Sequence, residues 1–64
     1  MSNLVGKVLL NRFRVDAFVA SGGMGTVYRV WDTQRNVSLA MKVLHSDLEK
    51  IAITDKSLHL ELII

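Results

Sequence analysis

Val19-Ala20-Ser21-Gly22-Gly23-Met24-Gly25-Thr26-Val27 carries three of the four glycines in this 64-residue chain, and its reading decides the fold. Apolar alternation runs up to the stretch and resumes directly after it, so the glycines mark the turn of a β-hairpin. Reversal alone needs one Asn-Gly or Asp-Gly pair. Three glycines in four residues point instead to backbone left bare for close approach. A row of free N–H donors of that kind suits a phosphate group.

On the N-terminal side, Phe13, Val15, Ala17 and Val19 share one face of a strand, with Arg12, Arg14 and Asp16 on the other. That is the pattern of a half-buried strand. Residues 4–10 are apolar without a clear period and read as a lead-in packing on the sheet edge. After the tip, residues 26–32 are aromatic and β-branched enough to suit a pleat, and the polar run Asp32 to Asn36 reads as a turn. A third strand, Val37 to Leu44, sets Val37, Leu39, Met41 and Val43 on one face and Ala40 and Lys42 on the other. Short connections make the three an antiparallel meander.

Beyond Leu44 the pattern divides. Ser46-Asp47-Leu48-Glu49 has capping-box spacing, and Thr54 or Asp55 is suited to cap a second helix. Leu58, Leu60, Leu62 and Ile64 alternate with His59, Glu61 and Ile63, as a strand would. Leu58 with Leu62, and Leu60 with Ile64, also stand at the i,i+4 spacing of a helix. Periodicity admits both.

Composition sets outer limits. A chain of this length is at most one small domain with a marginal core. It contains no cysteine, so disulfides and thiolate metal sites are excluded, and no proline. The opening residues lack the features of a signal peptide, and no apolar run reaches bilayer-spanning length. The expectation is a cytoplasmic protein without a membrane segment. A net charge of +2 is too small to argue for nucleic acid. Residues 1–42 are nevertheless basic, by four charges, and residues 43–64 acidic, by two. A basic first half suits an anionic ligand such as a nucleotide, with Arg12, Arg14, Arg29 and Arg35 read as solvating the outer face of the sheet.

Lys42 is the second informative residue. A lysine inside the apolar run Leu39-Ala40-Met41-Lys42-Val43-Leu44 is costly to desolvate unless its ammonium meets an anion. The bland reading is a lysine on an exposed face with its stem along the sheet. One strand from a glycine-rich hairpin, the anion gains weight, because the two elements would face one cleft. A glycine loop followed by a strand lysine is how protein kinases grip a nucleoside triphosphate.

Here the sequence resembles a family. Val19 to Tyr28, then Leu39-Ala40-Met41-Lys42-Val43-Leu44-His45, looks like the start of bacterial serine/threonine protein kinases of the eukaryotic-like type. The opening Leu4 to Val15 is similar too, so the resemblance covers residues 4–48 well and the remainder loosely. It implies an α+β fold, with the meander as the first strands of a kinase small lobe and a helix around residues 55–64. Residues 1–64 would then be an incomplete domain.

The resemblance also implies roles. Gly22, Gly23 and Gly25, with Ala20, Ser21, Met24 and Thr26 around them, would fold over the β- and γ-phosphates of ATP. Val19, Val27 and Ala40 would roof the adenine, and Lys42 would pair with the α- and β-phosphates. Glu61, nineteen residues beyond Lys42, would hold that lysine from the helix; a solvent-facing acid is the competing reading. Ala20 stands where the family has its first loop glycine, and Ile51 to Thr54 is greasier than the family's segment there.

Catalytic and metal-binding residues are a different matter. The family's acceptor-orienting Asp and its Mg2+ ligands sit in His-Arg-Asp and Asp-Phe-Gly motifs, and neither occurs in these 64 residues. His45 reads as a strand-end residue and His59 as a surface one. The expectation is an ATP-binding stretch of a kinase that transfers no phosphate to a protein substrate by itself. Its bare Val37–Leu44 edge would be open to self-association. Two alternatives stand beside it. One is a non-catalytic small-lobe module that regulates a kinase; the other is a β-rich interaction domain using Phe13, Phe18, Tyr28 and Trp31, of which Phe13 and Trp31 read better as core.

Overall fold

The computed structural model describes residues 3–45, 50–55 and 58–63. Six strands make one sheet in chain order: β1 (Val8–Leu9), β2 (Phe13–Gly22), β3 (Gly25–Asp32), β4 (Val37–Leu44), β5 (Lys50–Thr54) and β6 (His59–Ile63). Every neighbouring pair is antiparallel. The sheet curls into a half-barrel around its core face. Among the described residues there is no helix, and so none long and apolar enough to cross a membrane.

The expected α+β architecture is therefore corrected to all-β. The helix expected around residues 55–64 is replaced by β6. The reason lies in the partner now supplied by β5. Ile51 and Ile53 are buried with Ala52 between them, and Leu60 and Leu62 pair opposite Ile53 and Ile51. Period-2 alternation in both strands satisfies one apolar face together, whereas a helix would have turned part of that surface outward. The capping-box residues 46–49 lie outside the described residues. Thr54, expected as a helix cap, is the last residue of β5.

The core is the concave face. Phe13, Val15, Tyr28, Val30, Leu39, Met41, Val43, Ile51 and Ile53 are buried there, and Leu4, Leu9, Val37, Leu58, Leu60 and Leu62 pack against them. The facing of β3 and β4 follows their alternation. β2 does not keep its alternation: its register with β3 shifts between Val15 and Ala17, and again between Phe18 and Ala20. Each bulge sends the following residues to the other face. Phe13 and Val15 are thus core, while Ala17 opposes Arg29 and Val19 is exposed. Phe18 packs edge-on against Tyr28 at the sheet margin. Trp31, expected in the core, is half-buried opposite Ser38 on the convex face.

β5 also covers the second half of the Val37–Leu44 edge expected to be bare, leaving Val37 to Ala40 outside its register. It pairs with Met41 to Leu44 of β4, so the outer edge of the sheet now belongs to β6.

Far from the glycine tip, Asp32 is fully buried. Arg12 grips it through Nε and Nη2 at 2.9 and 2.8 Å. The backbone N–H groups of Gln34 and Arg35 donate to its Oδ1, making the β3–β4 connection an Asx-type turn. Arg35 in turn donates to Asp55 after β5, and Arg14 pairs with Asp16. Three of the four arginines read as solvating a face are thus bound to carboxylates. The Arg12 hydrogen bonds, opposed by burial and assisted by the two turn N–H groups, hold the Asp32 carboxyl well below the usual carboxylate range.

Two outcomes follow. The lowered Asp32 contributes stability that is complete above the ordinary aspartate range, roughly pH 4. That contribution is lost as the pH falls from there towards the depressed folded value. Thermal melts of wild type and Asp32→Asn should show the variant less stable at pH 7 and the gap closing in acid. Met41, with 0% exposure at the centre of the core, should cost about 2–5 kcal/mol when cut to alanine, read by urea unfolding.

Candidate functional site

The pairing registers place five residues in one row across the convex face: Ala20 opposite Val27, Val27 opposite Lys42, Lys42 opposite Ala52, and Ala52 opposite Glu61. The row begins two residues short of the glycine turn. Gly22 pairs with Gly25, leaving Gly23 and Met24 as a two-residue connection. The backbone of that tip leans over the end of β4, where the His45 N–H donates to the Met24 carbonyl. On the opposite, core face, Ser21 bonds Thr26, and Thr26 bonds His45 Nε2 at 3.2 Å, pinning the hairpin base to the same strand end.

The three glycines do different work. A Cβ on Gly25 would collide with the Val43 carbonyl oxygen, so glycine at this position is demanded by the fold itself. Gly22 and Gly23 have open space where their side chains would be. No side chain there stands between the backbone and the hollow.

Three adjoining hollows line the convex face, all of them touching Val27. The first, about 390 Å³, runs from Ala20 through Ser21, Gly22, Gly23, Met24 and Gly25 to Val27 and Lys42. A second of about 320 Å³ is lined by Val27, Ala40, Met41, Lys42, Ala52 and Thr54. A third of about 230 Å³ takes in Val19, Arg29, Ser38 and Ala40 beside Val27. Lys42 is exposed, lines the first two, and among the described residues makes no hydrogen bond or ion pair. An unpaired ammonium beside glycine backbone that no side chain covers can hold a multiply charged anion. The apolar neighbours Val27, Ala40 and Ala52 can take a flat ring.

The residues expected at the site mostly converge. Ala20, Ser21, Gly22, Gly23, Met24, Gly25, Val27 and Lys42 share one hollow, and Val19 and Ala40 lie in the adjoining ones. Thr26 does not join them; it is buried on the core face. Glu61 lies on a strand rather than a helix, in the same row as Lys42 but two strands away, about 9–10 Å between backbones. Its carboxylate is 3.5 Å from His59. Ala52 and Thr54 line a hollow yet went unassigned. The small-for-large alternation Ile51-Ala52-Ile53 is the sequence signal that could have found them.

Of the four aromatic residues considered for protein contact, Phe13 and Tyr28 are buried and Trp31 half-buried; Phe18 is 55% exposed. Among the described residues no three His, Asp or Glu side chains gather as a metal site would require. No family model matches the chain, and no solved structure matches it.

The division among the glycines is testable. Gly25→Ala should lose about 3 kcal/mol of stability by overpacking against Val43. Gly22→Ala should melt within about 0.5 kcal/mol of wild type, as a substitution into open space. Chemical denaturation of both variants checks the contrast.

Proposed function

We propose that the convex face binds a nucleoside triphosphate, ATP on the strength of the kinase resemblance. The glycine tip and Lys42 take the phosphates, and Val27, Ala40 and Val19 take the base. One observation carries the reading: an unpaired lysine lines the same hollow as the open backbone of Gly22 and Gly23. That a strand lysine and a hairpin tip meet on one face depends on register, and a one-residue slip would have driven Lys42 into the core. The hollow also falls in the size range of small-molecule sites, about 300–1,000 Å³.

The proposed role is binding. Phosphoryl transfer needs an acceptor-orienting carboxylate and metal-holding side chains, and the motifs that supply them in the kinases do not occur in these 64 residues. What this stretch offers is a positive, backbone-lined cradle for the nucleotide, in a chain free of thiol chemistry.

Isothermal titration of MgATP into wild type and Lys42→Ala tests the reading. A charge-assisted hydrogen bond is worth about 1.5–3 kcal/mol, so the substitution should weaken binding about 10- to 100-fold. The melting temperature should not move, because Lys42 is exposed and unpaired among the described residues. Raising the ionic strength should weaken wild type more than the variant. Binding that ignores Lys42→Ala would refute the proposal.

A further inference from the structure

Thr54 is hydrogen-bonded to His59 on the convex face, with the Glu61 carboxylate at ion-pair distance from the far side of the ring, beside the hollow that would take the base. Thr54 and His59 are cross-strand partners of β5 and β6. The Thr54 hydroxyl lies 2.8 Å from His59 Nδ1, and His59 Nε2 lies 3.5 Å from Glu61 Oε1. Thr54 also lines the second hollow, whose other walls are Val27, Ala40, Met41, Ala52 and Lys42.

The charge of Glu61 sets the preferred direction of each proton. An ionised carboxylate only accepts, and its charge 3.5 Å away favours the tautomer whose hydrogen is on the nitrogen facing Glu61. In a neutral imidazole the other nitrogen, Nδ1, is then a bare acceptor. In that tautomer the Thr54 hydroxyl donates to Nδ1, which commits its single hydrogen. Its oxygen has only lone pairs left to offer the hollow. Lys42, the other polar side chain there, donates only, and on the nucleotide reading it is engaged by phosphate.

We propose that Thr54 is a base-selecting residue: an acceptor, oriented through His59 and Glu61, that recognises an exocyclic amino group and rejects a carbonyl oxygen at the same position. The site therefore prefers a 6-aminopurine to a 6-oxopurine. This inference rests on the nucleotide-binding reading above and adds to it the residue that reads the base. His59 and Glu61 act as positioning residues, and Thr54 touches the ligand.

MgATP and MgITP differ at this position in the required sense, an amino group against an oxygen, and carry the same triphosphate. Titration calorimetry of wild type should give a dissociation constant about five- to tenfold lower for ATP, the worth of one neutral hydrogen bond against an unsatisfied pair. Thr54→Val should bring ATP to the level of ITP and leave ITP unchanged; Thr54→Ser should restore the preference. His59→Ala, which frees the hydroxyl to rotate, should shrink it.

Equal affinity for the two nucleotides, with Lys42→Ala weakening both, overturns the role of Thr54 and leaves the phosphate site standing. A wild-type preference that survives Thr54→Val overturns it as well. Failure of both nucleotides to bind removes the site and the inference together. Nitrogen-15 spectra of His59 at pH 8 give a readout independent of any ligand. A protonated Nε2 with bare Nδ1 supports this arrangement, and the opposite tautomer refutes it.

Discussion

A single buried carboxylate holds the strands in step. Asp32 receives both arms of the Arg12 fork from the turn before β2, and two backbone N–H groups from the turn before β4. Arg35, one of those turn residues, reaches on to Asp55 beyond β5. Three connections at one end of the sheet are thereby tied to one another. In a curled single sheet whose one apolar face forms the whole core, a slip of one residue would exchange core and surface along an entire strand. The ion network penalises that slip at the end where the turns lie, and apolar packing penalises it along the rest.

The convex face inherits its order from that register. With β3 and β4 held in step, Val27 must oppose Lys42; with β4 and β5 in step, Lys42 must oppose Ala52. Small residues flank the lysine, so the hollows open on either side of it. At the other end the hairpin needs no ion pair. Its tip is seated by contact between glycine backbone and the end of β4, and by the Ser21, Thr26 and His45 bonds on the core side. Charge anchors one end and steric fit the other, with Lys42 between them. The two ends respond to different conditions, the first to acid and the second to side-chain size.

Much of this was legible before the fold was known, and the limits have physical causes. The facing of β3 and β4 could be read because their alternation is unbroken, and the pairing of glycine tip with Lys42 followed from it. The bulges in β2 were hidden. Phe13, Val15, Ala17 and Val19 alternate perfectly in sequence, and only pairing with β3 shows that residues are skipped. The last fourteen residues fit both periods, and the resemblance to kinases favoured the helix; burial of Ile51 and Ile53 against β6 decided for strands. Thr54 and His59 could not be connected in advance, because cross-strand partners exist only once a register does.

Gly25 has an implication for how glycine-rich segments are compared between proteins. Its lack of a side chain is enforced by a neighbouring carbonyl within the same sheet, whether or not anything is ever bound. Selection would keep it in a descendant that had lost its ligand. Positions 22 and 23 carry no such steric demand, so drift at those two places, with 25 unchanged, is the signature by which a lineage that abandoned binding could be told from one that kept it.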